Sequence, residues 1–183
     1  GALDFTDYYF EHKRQQIEAL KDSKKAILEV SKEFSSKVGR EYGLFEKYKL
    51  DDAEFAIVVM GSTAGTAKVV IDGLRDKGMK AGLLKPRVFR PFPKEEMAQA
   101  LKHLKTVAVM DRSDSMNAQE GPVCLEVKAA FYDAKIQKTV LNYIYGLGGR
   151  DIKIEDIIQI YNDLADAAAG KEKAKITYLG VRE

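Results

Sequence analysis

Cysteine is almost absent: Cys124 is the only one in 183 residues. That excludes an internal disulfide and disfavours a thiolate site for a metal or an iron–sulfur cluster within this chain. Histidine is nearly as scarce. His12 and His103 lie far apart, each on a charged helical stretch, and neither has a metal-ligand partner at a workable spacing. Their expected role is that of solvent-facing helix residues. A net charge of +2, from 30 basic and 28 acidic side chains, carries no nucleic-acid or membrane footprint. No apolar run approaches the roughly 18–20 residues that span a bilayer. A signal-peptide pattern, internal repeats and low-complexity segments are likewise missing, so the cytoplasm is the expected compartment. The chain opens GALDF without an initiator methionine, which suggests a piece of a longer polypeptide.

What is present is globular material, 45% hydrophobic and 32% charged. That balance is well away from the disordered class, and the length suits one domain with an appendage. The organising stretch is FAIVVMGSTAGT, residues 55–66. Its uncharged run suits a central strand covered on both faces, followed by a glycine-containing turn and a helix start. Ser62, Thr63 and Thr66 are candidates to cap that helix. Before it, residues 7–38 read as one long helix. Ile17, Leu20, Ile27, Phe34 and Val38 form a narrow apolar stripe, interrupted by Lys24 and Ser31. Asp7 or Thr6 is its expected cap, and Gly39 and Gly43 mark its end. Two readings of it stand: a helix packed on its own domain, or a connector that docks on a further one.

After residue 66 strands and helices alternate. Helices are expected over 66–77, 94–104, about 122–132 and 153–169, and strands over 80–86, 106–111, 138–145 and 176–181. With 55–60 that makes five strands. Alternation with short joints predicts an α/β fold, a mainly parallel sheet with helices on both faces. The expected domain spans residues 53–183, and residues 1–52 form an N-terminal connector helix and link.

Ligands of open parallel sheets collect beyond the carboxyl ends of the strands. That edge would carry Gly61, Ser62, Thr63, Gly65 and Thr66, with Arg112 nearby, as a candidate anion site: free backbone N–H groups and hydroxyls at a helix N-terminus suit a phosphate or carboxylate. The spacing is neither GxxxxGK[ST] nor the dinucleotide fingerprint, and capping needs the same residues. Asp111 beside Arg112 reads as an acid–base group or, more plainly, as a local ion pair or cap. Cys124 reads as a small buried hydrophobe ahead of a catalytic thiol. The proline-stiffened loop 87–93 displays Arg87, Phe89, Arg90 and Phe92, and residues 143–150 bring Tyr143, Tyr145 and Arg150. Arginine and aromatic residues favour interface cores, so these are candidate contact residues, unless the loops fold against their own sheet edge.

Several motifs in order, GSTAGTAK, LLKPRVFRPFP, VAVMDRSDS, GPVCLEV and NYIYGLGGRDI, resemble the C-terminal part of the α chain of pyruvate:ferredoxin oxidoreductase and related 2-oxoacid:ferredoxin oxidoreductases. The resemblance covers essentially the whole chain. It implies a fold similar to the transketolase C-terminal domain, with residues 176–181 as an antiparallel edge strand. It also implies a parent enzyme that decarboxylates a 2-oxoacid on thiamine diphosphate with magnesium. Electrons pass through iron–sulfur clusters to ferredoxin, and acyl-coenzyme A is released. The family's cofactor-binding residues lie in other domains or subunits, and none of its catalytic residues maps onto a position here. The chain by itself is therefore expected to be inactive: a structural and assembly domain whose partners are other domains and subunits, with ferredoxin only indirect. The alternative is an anion- or coenzyme A-binding module using residues 61–66. An independent small α/β enzyme is a third reading, against which the missing acid, base and nucleophile set counts.

Overall fold

The computed structural model describes residues 3–116 and 118–182. Gly1 and Ala2 of the opening GALDF, and Asn117 in the polar stretch 112–120, lie outside the described residues. The chain divides into two compact units, Gly1–Leu44 with Arg87–Pro93, and Phe45–Pro86 with Lys94–Glu183.

In the larger unit, six strands form one sheet among the described residues: β1 (Phe45–Tyr48), β2 (Phe55–Val59), β3 (Ala81–Pro86), β4 (Thr106–Asp111), β5 (Thr139–Ile144) and β6 (Ile176–Tyr178). Their order is β1-β3-β2-β4-β5-β6. β1 runs antiparallel to β3, and every other pairing is parallel. Two expectations are corrected. There are six strands rather than five, and the antiparallel edge is β1, at the far side of the sheet from the expected residues 176–181. β1 escaped notice because Phe45-Glu-Lys-Tyr48 is short, charged and aromatic, and only its partner β3 makes it a strand. β6 is parallel because α5 carries the chain back across the sheet before it re-enters beside β5.

The central strands follow from composition. All six residues of β4 are buried, and β2 buries four of five, as uncharged runs covered on both faces should. The helices are α2 (Thr63–Asp76), α3 (Lys94–Leu101), α4 (Pro122–Asp133) and α5 (Ile154–Ala168). α2 buries Ala64, Ala67, Ile71 and Leu74, and α5 buries Ile157, Ile160, Tyr161 and Leu164, both at helical spacing. These two helices pack together and share one core with β2, β3, β4 and β5, while α3 packs against α4.

At Gly82 the backbone comes unusually close to its neighbours. A Cβ there would lie 2.7 Å from Lys49 O and 2.8 Å from Ala53 Cβ. Behind it, the buried Tyr161 hydroxyl donates to Gly82 O at 2.8 Å. The turn that follows β1 therefore lies directly on β3, and His103 Nε2 sits 3.0 Å from Leu50 O in that turn.

The smaller unit contains α1 (Tyr9–Val38), 30 residues of which none is buried. Its N-cap is Tyr8, without a side-chain cap bond, rather than Thr6 or Asp7: residues 6–8 form a turn and the chain enters the helix only after it. Gly39 N–H donates to Ser35 O at 2.9 Å and ends the helix where the sequence places its stop. Beyond it Tyr42 is clamped. Its ring stands edge-on to Phe34 at 5.2 Å, with Arg87 at 4.6 Å and Arg40 at 5.2 Å from its centroid.

Two outcomes test this description. Gly82→Ala should cost about 1–3 kcal/mol, because turn or strand must move, read as a lower urea midpoint at unchanged slope. An unchanged midpoint would show that the turn does not lie on β3. The second concerns Asp166, which hydrogen bonds from Lys171 and Lys173 hold down at about 2. A depressed carboxyl stabilises the fold above its unfolded value of about 4 and loses that contribution as the pH falls toward the folded value. The melting-temperature gap between the parent chain and Asp166→Asn should be full at neutral pH, close on acidification through that window, and shrink in high salt. A gap independent of pH would reject the ion-pair account.

Candidate functional site

The carboxyl edge of the sheet brings together the ends of β2, β4 and β5, which are neighbours in the order. Residues 61–66 leave β2, Arg112 follows β4, and residues 145–149 follow β5. In the first loop Gly61, Ser62 and Gly65 are exposed, Thr66 is half-buried, and Thr63 is buried. α2 begins at Thr63 with Ser62 as N-cap, yet no side-chain cap bond forms. The capping expected of Ser62 is therefore corrected: Gly65 N–H donates to the Ser62 carbonyl at 2.8 Å, so the backbone closes this turn by itself. Thr63 is used elsewhere. Its Oγ1 accepts from the Tyr145 hydroxyl at 3.0 Å, which binds the end of β5 to the start of α2. Arg112 Nε donates to Gly146 O at 3.2 Å, so the guanidinium is held at the β5 loop.

Tyr143 and Tyr145 were expected among the contact residues, and both are corrected to core positions, 2% and 5% exposed. On an all-parallel central strand both faces are covered, so alternation sends neither tyrosine to solvent. Tyr143 satisfies its hydroxyl on Asp163 at 2.9 Å, and burial raises its pKa. Arg150 is exposed and donates to Gly180 O. The cleft beside it, lined by Leu147, Arg150 and Tyr178, encloses about 70 Å³ and is too small for a cofactor.

Asp111 is the best-connected polar side chain of this edge. Only 2% exposed, it accepts from Val123 N–H at 2.8 Å and Cys124 N–H at 3.2 Å, the free donors in the first turn of α4. Asn142 Nδ2 donates to it at 3.0 Å, while Asn142 Oδ1 accepts from Gly121 N–H at 2.8 Å. Burial pushes the Asp111 pKa up, and these hydrogen bonds oppose that shift. The carboxylate therefore caps α4 from a neighbouring strand, and the acid–base reading with Arg112 is set aside. Gly121 makes this approach feasible, since a Cβ there would fall 2.4 Å from Asp111 Cγ. Asn142 was missed in the sequence because nothing local distinguishes a fully buried strand asparagine from an exposed one. Cys124 is buried with its thiol pushed up to about 12, which leaves no thiolate at neutral pH.

In the other unit, residues 87–93 fold onto their own surroundings. Arg87 and Val88 N–H groups donate to Leu44 O at 2.9 and 3.0 Å, and Arg87 Nη1 donates to Glu41 O at 2.9 Å. Arg90 lies 4.0 Å over the Phe89 ring, and Phe89 meets Phe92 edge-on at 6.2 Å. Among the described residues, no group of three or more His, Cys, Asp or Glu side chains is placed to hold a metal ion. No helix among them is long and apolar enough to cross a membrane.

A family model described as pyruvate:ferredoxin oxidoreductase core domain II matches residues 53–157. Pyruvate synthase subunit PorA of Thermotoga maritima is 46% identical over 183 residues, covering 100% of this chain and 46% of that subunit. Ketoisovalerate oxidoreductase subunit VorA of Pyrococcus abyssi is 40% identical over 165 residues, 90% of this chain and 42% of that one. The chain thus spans about half the length of the curated relatives it matches. Among solved structures, a split-gene transketolase described as an inactive β4 tetramer superposes with a TM-score of 0.52. Its sequence identity is 11%, over 68% of this chain and 43% of that chain, a likeness of fold alone.

The Asp111 node predicts a coupled pair. Asp111→Ala should cost about 2–4 kcal/mol by removing a cap and leaving buried donors unpaired. Gly121→Ala should cost about 1–3 kcal/mol by forcing the carboxylate away. In the Asp111→Ala background the clash disappears, so a double-mutant cycle in urea should return a coupling of at least about 1 kcal/mol. Simple additivity would show that the two residues do not act on each other.

Proposed function

The chain belongs to the pyruvate:ferredoxin oxidoreductase core domain II family, and from that premise we propose that it is a non-catalytic structural and assembly domain of a 2-oxoacid:ferredoxin oxidoreductase α subunit. The observation that carries this reading is the 46% identity to a pyruvate synthase subunit across the full chain. The chemistry of the sheet edge supports it. Asp111 is committed to a helix cap, Thr63 and Tyr145 to each other, and Cys124 to the core. One buried thiol is no ligand set for an iron–sulfur cluster, which takes four. Thiamine diphosphate, magnesium, the clusters and coenzyme A are therefore assigned to the other domains and subunits of the parent complex. Pyruvate is the proposed 2-oxoacid, on the higher identity of the pyruvate synthase relative, and the cytoplasm the proposed compartment. Residues 1–52 act as the connector to the α/β domain of residues 53–183, with β1 as the part of the link tied into the sheet. Arg87, Phe89, Arg90 and Phe92 on one loop, and Arg150 on another, contact the rest of the complex.

A second reading is favoured by the exposure of Ser62 and Gly65 at the start of α2. It takes residues 61–66, with Arg112, as a seat for an anionic group such as a phosphate of coenzyme A. An NMR titration in which phosphate and coenzyme A both leave the amides of residues 61–66 unmoved would remove it.

The leading reading is tested by expressing the tagged chain in cells that hold the parent enzyme and identifying what co-purifies. A thiamine-binding chain and a cysteine-rich cluster chain are expected, and the purified chain alone should not reduce a viologen dye with pyruvate and coenzyme A. Turnover by the isolated chain would overturn the assignment.

A further inference from the structure

Besides the outer sides of the end strands β1 and β6, the sheet leaves a stretch of β5 backbone unpaired. β6 starts opposite Asn142, so Thr139–Leu141 pair with β4 on one side only. Asn142 N–H points outward, donating to Lys175 O at 2.9 Å. Strand groups alternate in direction, so the N–H and C=O of Val140, two residues earlier, point the same way. They face a groove of about 430 Å³ between α4 and α5, whose rim carries Lys128, Lys138, Lys171, Lys173 and Lys175 against the single carboxylate of Glu120, with Lys171 paired to Asp166 beyond the rim. Lys128 pairs with Glu120, and Lys173 reaches Asp163 and Asp166, each at 2.8 Å. Lys138 is held instead by the main-chain carbonyls of Lys102 and Leu104. The Lys175 side chain is exposed.

We propose that this groove receives an acidic, extended segment of a partner chain, which pairs with the outward backbone of Val140 as an added strand and sets carboxylates against Lys138 and Lys175. The edge supplies main-chain affinity and the rim supplies selection, which is how strand addition divides the two tasks. The charge of the rim weighs against the alternatives. A second copy of this chain would bring its own lysines onto these, and like charges placed across a strand pair repel. A basic or neutral strand would leave the same lysines unmatched, which is how edge lysines keep sheets from joining indiscriminately. This inference does not depend on family membership, and the groove lies along the amino-terminal half of β5, away from the carboxyl-edge residues 61–66, Arg112 and Arg150.

The test uses the 183-residue chain, uniformly ¹⁵N-labelled, and two blocked hexapeptides, one alternating glutamate with valine and the other lysine with valine. The glutamate peptide should move the Val140 amide and slow its hydrogen exchange by about tenfold or more. The lysine peptide should bind at least about tenfold more weakly. Lys175→Glu, at an exposed side chain, should lower the glutamate peptide's affinity several-fold with the amide spectrum otherwise retained. Three results would overturn the proposal. One is equal binding of both peptides. Another is binding that leaves Val140 exchange unchanged, which would mean charge condensation without strand pairing. The third is protection of Val140 that rises with protein concentration alone, which would make the occupant a second copy.

Discussion

The structure turns on a buried carboxylate. Asp111 ends the most deeply buried strand, and its two oxygens answer the free N–H groups at the head of α4 while Asn142 of β5 donates from the side. An ionised or protonated carboxyl at this depth is costly unless its partners are in place, so strand, helix and neighbouring strand are held to one geometry. The missing Cβ of Gly121 is part of the same constraint, because the helix can reach the carboxylate only there. A group that a search for catalysis would single out is thereby withdrawn from chemistry.

The same logic runs along the rest of the sheet edge. Tyr145 spends its hydroxyl on Thr63, Tyr143 spends its own on Asp163, and Tyr161 crosses the core to the Gly82 carbonyl. Each is an aromatic body in the core with a polar tip that needs one partner, and each finds it on a different element. Polar groups that could have formed a reaction centre are joining secondary-structure elements instead. The result is a frame in which three buried or part-buried hydroxyls each tie two elements together.

Much of the frame could be read from residue order. The uncharged runs in β2 and β4, the helical spacing of α2 and α5, and the stop at Gly39 all reflect local physics, in which burial and backbone freedom act within a few residues. β1 could not be read this way, since Phe45-Glu-Lys-Tyr48 lacks an apolar face until β3 lies beside it. The direction of β6 was equally hidden, because parallel and antiparallel edges use the same residues. Of the candidate site, Arg112, Ser62 and Gly65 stayed at the surface of the carboxyl edge, whereas Tyr143, Tyr145 and Thr63 were drawn inside.

By itself, then, the sequence determined the elements, the α/β class and, through its motifs, the family, because each depends on short-range patterning or on the identity of residues in line. Tertiary structure alone decided which strand became the antiparallel edge, which tyrosines were buried, and that Asp111 would cap a helix that starts eleven residues later. The reason is distance along the chain. A cap supplied from a strand, or a strand completed by its neighbour, is made by groups whose proximity exists only after the sheet has closed around them.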